Sequence, residues 1–391
     1  MIKIDKYDCI IIGSGFCGSV IARIIAERNK KVLVLERRNH IAGNMYDEKD
    51  STGILVQRYG PHVFHTNNYE IFKFIKKYDV WKDYKLKCAV DINGITSPSP
   101  FNLKTIELLY KKEKANLLKK HLKLKFKNKR TISILELIKS NEKIIKEYGK
   151  LLFEKDYKPY TLKQWGLAPH ELDISVLNRV PVRLDYIDYY HNKKYRALPK
   201  NGYTVFFKKL LNHKNINVKL NTDGLKFITV DSENKRILHY NKPINIPVVY
   251  TGAIDELLDY CYGHLPYRSL RFEYKTINID SFQETPVMIH PMAAGFTRIT
   301  EFKKMLAQNI SGCTTIAYEY PVNADDKNEL YYPVLTKKNI ILYKKYCNKI
   351  KGISNLFLCG RLADYKYYNM DNAIKRAINV SKKLFNTGLQ K

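Results

Sequence analysis

Three glycines near the N-terminus have the spacing of a dinucleotide-binding turn. Gly13, Gly15 and Gly18 follow the apolar run Cys9–Ile12, which is typical of a buried parallel strand. At this G-x-G-x-x-G spacing, the first glycine permits a tight turn and the second lets backbone N–H groups approach a pyrophosphate. The third lets a helix pack close to the strand. The pattern predicts a diphosphate at the positive end of a helix over 19–29.

A carboxylate follows the next predicted strand. The run 31–35 ends at Glu36, about 20 residues beyond the glycines, where a carboxylate can accept hydrogen bonds from ribose hydroxyls. A glycine-rich turn without a ligand is the alternative interpretation. The succession of strand, turn, helix, strand and acidic residue favours a dinucleotide site.

Two histidines could contact a cofactor or a substrate. His62 and His65 lie three residues apart in the stretch 59–66, after the corner that Gly60-Pro61 imposes. No third ligand of suitable spacing follows, so we predict no metal site. Polar contacts to a cofactor ring or a substrate are favoured over purely structural histidines.

Aromatic and arginine residues recur downstream. The stretch 155–166 combines two tyrosines with Trp165, and such rings belong either in a core or against a nucleobase or sugar. Arg179 and Arg183 lie between short predicted strands. Arginine binds phosphate oxygens through two parallel hydrogen bonds, so these residues are candidates for a phosphate contact.

Several longer elements must position these residues. A lysine-rich helical pattern over 105–149 predicts an inserted helical subdomain. Alternating apolar residues over 267–320 predict an antiparallel sheet. Strands that end at Gly252 and Gly360, and a helix over 371–384, indicate that the chain returns to the nucleotide domain.

Composition limits the classes of protein that are compatible with this chain. The 391 residues are 45% hydrophobic, and no apolar run is long enough to span a bilayer. The N-terminus has no signal-peptide pattern, so we expect a cytoplasmic protein. Seven scattered cysteines without a C-x-x-C motif predict reduced thiols.

The formal charge of +30 raises the question of a polyanionic partner. The densest basic patch, 111–130, is interleaved with leucines, which is typical of a surface helix with a solvated face. We therefore predict no nucleic-acid function. Weak attraction to anionic substrates or to an acidic membrane surface is the favoured consequence of the charge.

Nine motifs lie in order between Gly13 and Asp371: GSGFCG, YGPHVFHT, YTLKQWG, RVPVR, GYT, YTGAID, FTRITEF, YYPV and GRLADYKYYNMD. Together they resemble the UDP-galactopyranose mutase family, flavoenzymes that convert UDP-galactopyranose to UDP-galactofuranose. The resemblance covers nearly the whole chain, and several of these strings are long and rare.

The resemblance implies an α/β fold with three parts, assembled as a homodimer. The parts are a discontinuous Rossmann-like FAD-binding domain, an inserted helical domain and an antiparallel β-sheet domain that binds substrate. The implied boundaries are 1–85, 203–265 and 338–391 for the FAD-binding domain, 100–165 for the helical domain, and 86–99, 166–202 and 266–337 for the sheet domain.

FAD is the implied cofactor, active in its reduced form and reduced by an external donor such as NAD(P)H or a flavin reductase. By the resemblance, Arg361 lies at the pyrophosphate and His62 near the flavin. The implied FAD-binding residues are Gly13, Gly15, Phe16, Gly18, Glu36, Arg37, Gly43, Asn44, His62, Gly252, Arg361 and Met370.

A nucleotide sugar is the implied substrate, attacked at its anomeric carbon by N5 of the reduced flavin without net redox change. Arg179 and Arg298 would grip the diphosphate, with His65 close to the flavin and sugar. The region 165–190 is expected to be a mobile lid. The other implied substrate-binding residues are Tyr157, Tyr160, Trp165, Tyr190, Tyr332, Tyr367 and Asn369.

Two differences from the family's motifs leave the identity of the substrate undecided. Asn369 stands where the family commonly has aspartate, and Asp156-Tyr157 stands where an aromatic pair is frequent. The alternative to UDP-galactose is the same chemistry on a deoxy-, N-acetyl-, arabinose- or heptose-type nucleotide sugar. An amine-oxidase-like flavin oxidoreductase is disfavoured, because an amine substrate needs no pair of diphosphate-binding arginines. A basic binding module without enzymatic activity is the remaining alternative.

Overall fold

A five-stranded parallel sheet carries the N-terminal glycine turn. The computed structural model describes residues 2–172, 180–325, 328–387 and 389. All eight residues of the first two strands are buried and apolar, as expected for a parallel sheet covered on both faces. In spatial order the strands are Ile216–Lys219, Val32–Leu35, Cys9–Ile12, Val248–Tyr250 and Leu356–Leu358.

Helices cover this sheet, and two of them have different bounds from those predicted from the sequence. The first helix is Phe16–Ala26 rather than 19–29, because it begins directly after Gly15 and ends before a turn in which Asn29 has a positive φ. It packs against the last helix, Met370–Thr387, which is longer at both ends than the predicted 371–384. The α/β nucleotide-binding fold predicted from the sequence is thus present. Outside the helical part, the described residues also form the α-helices Tyr69–Lys76, Tyr203–Leu211, Ile254–Leu257 and Lys337–Lys349.

A seven-stranded sheet forms the second layer. Its longest antiparallel ladder joins Tyr267–Ile277 to Thr314–Asn323 and lies near one edge of the sheet, in the region where the sequence predicts an antiparallel sheet. The strands at 88–92 and 287–289 pair in parallel, so the sheet is mixed rather than purely antiparallel. In spatial order the strands are Tyr332–Pro333, Tyr267–Ile277, Thr314–Asn323, Arg298–Glu301, Val287–Ile289, Cys88–Ile92 and Ile95–Ser99.

The lysine-rich segment forms several helices around their own core. The pattern over 105–149 is interrupted where Tyr110 is extended and where Ser133 begins a new helix through a capping box with Glu136. Leu118 and Tyr148 are among the fully buried residues of this core. The elements are Leu103–Leu109, Lys112–Lys125, Ile134–Ile138, Lys143–Leu152, the π-helical turn Phe153–Tyr157 and Lys158–Trp165.

Smaller sheets connect these parts. Among the described residues, the stretch 166–202 contributes no strand to the seven-stranded sheet, although the resemblance groups it with that domain. One of its strands pairs with the helical part and the other with the segment that carries His65. The boundaries of the three domains stay a prediction. The small sheets contain Thr131–Ile132 with Val182–Arg183; Phe64–Thr66, Tyr195–Pro199 and Trp81–Asp83; Asp47–Lys49 with Leu55–Gln57; and Ile228–Asp231, Arg236–His239 and Lys242–Ile244.

The seven cysteines are free thiols, and four of them are buried. In the described part of the chain, each helix is too short or too polar to cross a membrane.

Candidate active site

The glycine turn has the geometry that its spacing predicts. Gly13 has φ +103°, and a Cβ there would overlap the side chain of Thr251. A Cβ on Gly18 would overlap the carbonyl oxygen of Gly13, so the helix can approach the strand only with glycine at this position. Gly15 caps the helix without any side-chain hydrogen bond. The first N–H groups of the helix therefore stay available to an anion.

Glu36 lines the cavity next to the glycine turn. Its Oε2 accepts hydrogen bonds from the backbone N–H and the hydroxyl of Ser14, at 2.9 and 2.7 Å. Its Oε1 accepts from the backbone N–H of Arg38 at 3.0 Å. These bonds orient the carboxylate next to the cavity, where the predicted contact with a ribose hydroxyl stays a prediction.

A first cavity opens from this turn along the carboxyl ends of the parallel strands, which is the usual ligand position in such folds. The sequence prediction missed Arg38 and Glu329, which line this cavity and form an ion pair. No local signal could have paired these two residues, because they lie 291 positions apart. All twelve predicted cofactor residues line this cavity: Gly13, Gly15, Phe16, Gly18, Glu36, Arg37, Gly43, Asn44, His62, Gly252, Arg361 and Met370.

A second cavity joins the first. Both are lined by Met45, His62, Arg361, Asn369 and Met370, so the two share a wall. The second cavity extends from this junction between the helical part and the seven-stranded sheet. The predicted substrate and catalytic residues that line it are His65, Tyr157, Tyr160, Trp165, Tyr190, Arg298, Tyr332, Tyr367 and Asn369.

Arg179 lies outside the described residues, as does the stretch 173–179 of the predicted lid. Its predicted contact with the diphosphate and the mobility of the lid therefore stay predictions. Val180, the next described residue, lines the second cavity.

An ion pair with the buried carboxylate of Glu319 orients Arg298, which is itself only partly buried. Its Nε donates to Oε2 of Glu319 at 2.8 Å, and its Nη2 lies 2.7 Å from the same oxygen. The two residues occupy directly paired positions on adjacent strands. Burial alone would lower the pKa of Arg298, but the Coulomb attraction of Glu319 outweighs it and the pKa lies well above its ordinary value. Glu319 was missed by the sequence prediction, because only the strand register identifies it.

Two tyrosines and an arginine form a stacked group at the junction. The rings of Tyr332 and Tyr367 stack at 5.6 Å with an angle of 12°. The Arg361 guanidinium lies 5.1 and 5.0 Å from the two ring centroids. Its nitrogens donate to the backbone carbonyls of Tyr331 and Tyr368. Arg361 lines both cavities and the two phenols line the second; a cation with phenolic donors suits an anionic ligand.

His62 is neutral in this environment. Its Nδ1 lies 2.8 Å from the carbonyl oxygen of Gly60, and a carbonyl can only accept, so Nδ1 carries the proton. Burial, aided by the positive charges of Arg361 and Arg298, lowers the pKa of His62 to about 3. His62 therefore keeps an unprotonated Nε2 at the junction across the physiological pH range.

His65 packs against a residue that the sequence prediction did not select. Its ring stacks on that of His191 at 3.7 Å with an angle of 22°, and both line the second cavity. His65 reaches this position because its strand pairs with 195–199, in register with Arg196. Among the described residues, no group of histidine, cysteine or carboxylate side chains is arranged to hold a metal ion.

Lys163 anchors the loop that leads into the strand of Arg298. Its Nζ donates to the carbonyl oxygens of His290, Ala293 and Phe296, at 2.7, 2.9 and 2.7 Å. The helix that lines the second cavity is thereby tied to the strand that supplies its arginine.

Lys163→Met is expected to lower the free energy of unfolding by about 1–3 kcal/mol, because three carbonyl groups lose their donor. Chemical denaturation monitored by circular dichroism measures this change. Lys158→Met is the matched control on the same helix, since Lys158 is exposed and its ion pair is with exposed Glu154. It should change stability by less than about 0.5 kcal/mol. Equal effects of the two substitutions would contradict the anchoring role.

The parallel sheet and its glycine turn define a Rossmann-like dinucleotide-binding fold, and a second cavity lined by arginine and tyrosine side chains adjoins it. The model of the UDP-galactopyranose mutase family matches residues 155–367, and that of the NAD(P)-binding Rossmann-like domain matches residues 11–78. A UDP-galactopyranose mutase of Mycoplasma genitalium is 36% identical, over 98% of this chain and 96% of the relative. This chain therefore belongs to the UDP-galactopyranose mutase family and is a mutase-type isomerase.

Two further comparisons extend this assignment. A dTDP-fucopyranose mutase of Escherichia coli is also 36% identical, over 95% of this chain and 97% of the relative. The crystal structure of reduced UDP-galactopyranose mutase has the same fold, with a TM-score of 0.73 at 16% identity, and the match covers 99% of this chain and 94% of that chain.

Proposed function

We propose that this protein is a flavin-dependent mutase that interconverts the pyranose and furanose forms of a nucleotide sugar, with UDP-galactopyranose and UDP-galactofuranose as its substrate pair. The observation that carries this proposal is the junction of the two cavities at His62, Arg361 and Asn369. A sugar at this junction would lie beside a dinucleotide's reactive ring. Its diphosphate would reach the arginine and tyrosine side chains of the second cavity.

FAD fits the first cavity by the chemistry of the residues there. The uncapped helix N-terminus after Gly15 suits the pyrophosphate, and Arg361 adds a positive charge nearby. Bound FAD, kept reduced by an external donor such as NAD(P)H or a flavin reductase, supplies the nucleophile for the anomeric carbon. The contribution of the protein is to hold, orient and enclose the reacting groups.

The protein must above all stabilise the negative charge of the departing nucleoside diphosphate. The nucleoside diphosphate departs with the electron pair of the anomeric C–O bond and returns with it after the sugar ring has opened and closed through another hydroxyl, so there is no net redox change. Arg298 is held by Glu319 before substrate arrives, and Tyr332 and Tyr367 add phenolic donors. Such fixed donors stabilise developing negative charge without reorganising in the reaction. Arg179 is the proposed second arginine.

His62 and His65 would complete the site on the side of the sugar. A neutral His62 can accept a hydrogen bond through Nε2 but brings no positive charge to the junction. The stacked pair of His65 and His191 would close the cavity beside the sugar and limit the entry of water.

A second candidate substrate is dTDP-fucopyranose. The relative named for that substrate is as similar to this chain as the one named for UDP-galactopyranose. Asn369, at the junction, is uncharged, so a sugar that lacks a hydroxyl loses no contact with a carboxylate at this position. Both candidates keep the same reaction.

The test is to reduce the purified protein with dithionite and incubate it with UDP-galactofuranose, UDP-galactopyranose, dTDP-fucopyranose and other nucleotide pyranoses. Chromatography should resolve the pyranose and furanose forms, and we expect interconversion only after reduction. A flavin-loaded, reduced protein that converts none of them would refute the mutase function. Oxygen-dependent turnover with release of peroxide would support the amine-oxidase-like alternative instead.

We propose a cytoplasmic homodimer with weak attraction to acidic membrane surfaces. The helix Lys112–Lys125 supports this attraction, because Leu117 and Leu124 are 50% and 55% exposed on it among exposed lysines such as Lys120 and Lys123.

A further inference from the structure

The reaction leaves one acidic group of the second cavity without a role. One face of the helical stretch from 156 to 165 lines this cavity, and its members recur four residues apart, as neighbours on a helix surface do. Asp156 is the first of them and the one carboxyl group in the set. The set contains Asp156, Tyr157, Tyr160, Thr161, Gln164 and Trp165.

The helix orders these residues along the cavity. The Trp165 ring lies 6.1 Å from that of Tyr332, which stands beside Arg361 at the junction with the first cavity. Asp156 precedes Trp165 by nine residues, a distance of roughly 13 Å at the rise of a helix. Tyr160 lies between them and is among the groups that act electrostatically on Arg298. Asp156 therefore lies at the end of the cavity remote from the junction.

The carboxyl group of Asp156 is unpaired among the residues that the structure describes. Within the described part of the chain, its carboxyl group makes no hydrogen bond and no ion pair, although it lines a cavity. Burial raises the pKa of Asp156 to about 7, so a protonated carboxyl is well populated near neutral pH. A protonated carboxyl offers one donor and one acceptor in a single plane.

A nucleotide sugar that spans this cavity must place its base near Asp156. The sugar belongs at the junction and the diphosphate beside Arg298, which leaves the remote end for the nucleoside. Uracil and thymine present an imide edge, an N–H donor flanked by carbonyl acceptors, which pairs in two places with a protonated carboxyl. We propose that Asp156 binds the imide edge of a uracil or thymine base and so selects a pyrimidine nucleotide as the carrier of the sugar. This inference rests on the proposed function.

Binding of UDP to the purified flavoprotein tests the inference without any turnover, by isothermal titration calorimetry. Asp156→Leu should weaken UDP binding by about 10-fold or more, because the imide edge loses both partners. Asp156→Asn should bind UDP within about threefold of the wild type, because its amide keeps a donor and an acceptor in the same plane. Glu154→Leu, two residues earlier and exposed, is the matched control and should bind like the wild type.

N3-methyl-UDP separates pairing with the imide from general packing, because the methyl group removes the N–H donor. It should bind weakly to the wild type and equally weakly to Asp156→Leu. Flavin absorbance and thermal unfolding of each variant establish that the protein is folded.

Equal UDP affinity of folded Asp156→Leu and wild type would overturn the inference, and so would undiminished binding of N3-methyl-UDP. Failure of Asp156→Asn to bind UDP would overturn the pairing with a protonated carboxyl. If UDP binds through Asp156 but reduced protein converts no nucleotide sugar, the mutase function fails and the nucleotide site stands. If conversion occurs and Asp156→Leu binds UDP normally, the base contact alone fails.

Discussion

Arg298→Ala is expected to lower kcat by about 100- to 1000-fold while FAD stays bound, because the departing diphosphate loses a fixed charged donor. Arg298 lines only the second cavity, so the cofactor cavity keeps its residues. Turnover of the dithionite-reduced variant, followed by chromatography, measures the first effect. Flavin absorbance per protein measures the second.

The experiment needs a control for the charge of Glu319, the buried partner of Arg298. Removing one member of a buried ion pair typically costs about 3–5 kcal/mol of stability, and Glu319 would be left without its arginine. The double variant Arg298→Ala/Glu319→Gln relieves this charge and should be as inactive as the single variant but more stable. Arg271→Ala, an exposed arginine of the same sheet, should keep wild-type turnover. Wild-type turnover in Arg298→Ala would refute the proposed role.

Gly18→Ala is expected to give a destabilised protein that purifies without flavin. The added Cβ would overlap the backbone carbonyl of Gly13, which no side-chain rotation can relieve. The helix must therefore move away from the strand and take its N-terminus with it. Overpacking of this kind typically costs about 1–3 kcal/mol, and more where backbone must shift. Thermal unfolding and flavin absorbance measure the two effects.

Gly15→Ala separates the fold from the cofactor. A Cβ on Gly15 would meet nothing nearer than the Cα of Gly43 at 3.9 Å, so the protein should fold with nearly normal stability. The methyl group would still enter the space before the helix N-terminus, where the pyrophosphate is expected, and should weaken FAD binding. Normal flavin content in both Gly15→Ala and Gly18→Ala would contradict the assignment of this turn to the cofactor.

Some of the site could be predicted because its geometry is local. Gly13, Gly15 and Gly18 act within one turn, so their spacing alone specifies the approach of strand, helix and anion. The same holds for the corner at Gly60-Pro61, where a bend is imposed by neighbours in sequence. The predicted cofactor and substrate residues that the structure describes line two joined cavities, although their individual roles stay predictions.

Other parts could not be predicted, because they depend on which distant segments pair. The resemblance groups the stretch 166–202 with the large sheet, yet its described strands pair with Thr131–Ile132 and Phe64–Thr66. The helical pattern over 105–149 revealed periodicity but not the interruption at Tyr110, where the chain turns to close a separate core. Periodicity reports the buried face of a helix and says little about where the chain must turn.

By itself, the amino-acid sequence determined the dinucleotide turn, the α/β class and the family of this protein, because each depends on residue types at short spacing or on motifs in a set order. Only the tertiary structure decided that Glu319 holds Arg298, that His191 stacks on His65, and that Asp156 lines the second cavity without a hydrogen-bond partner among the described residues. Strand register and the packing of helix against sheet bring these side chains together across long separations, and no local pattern encodes them.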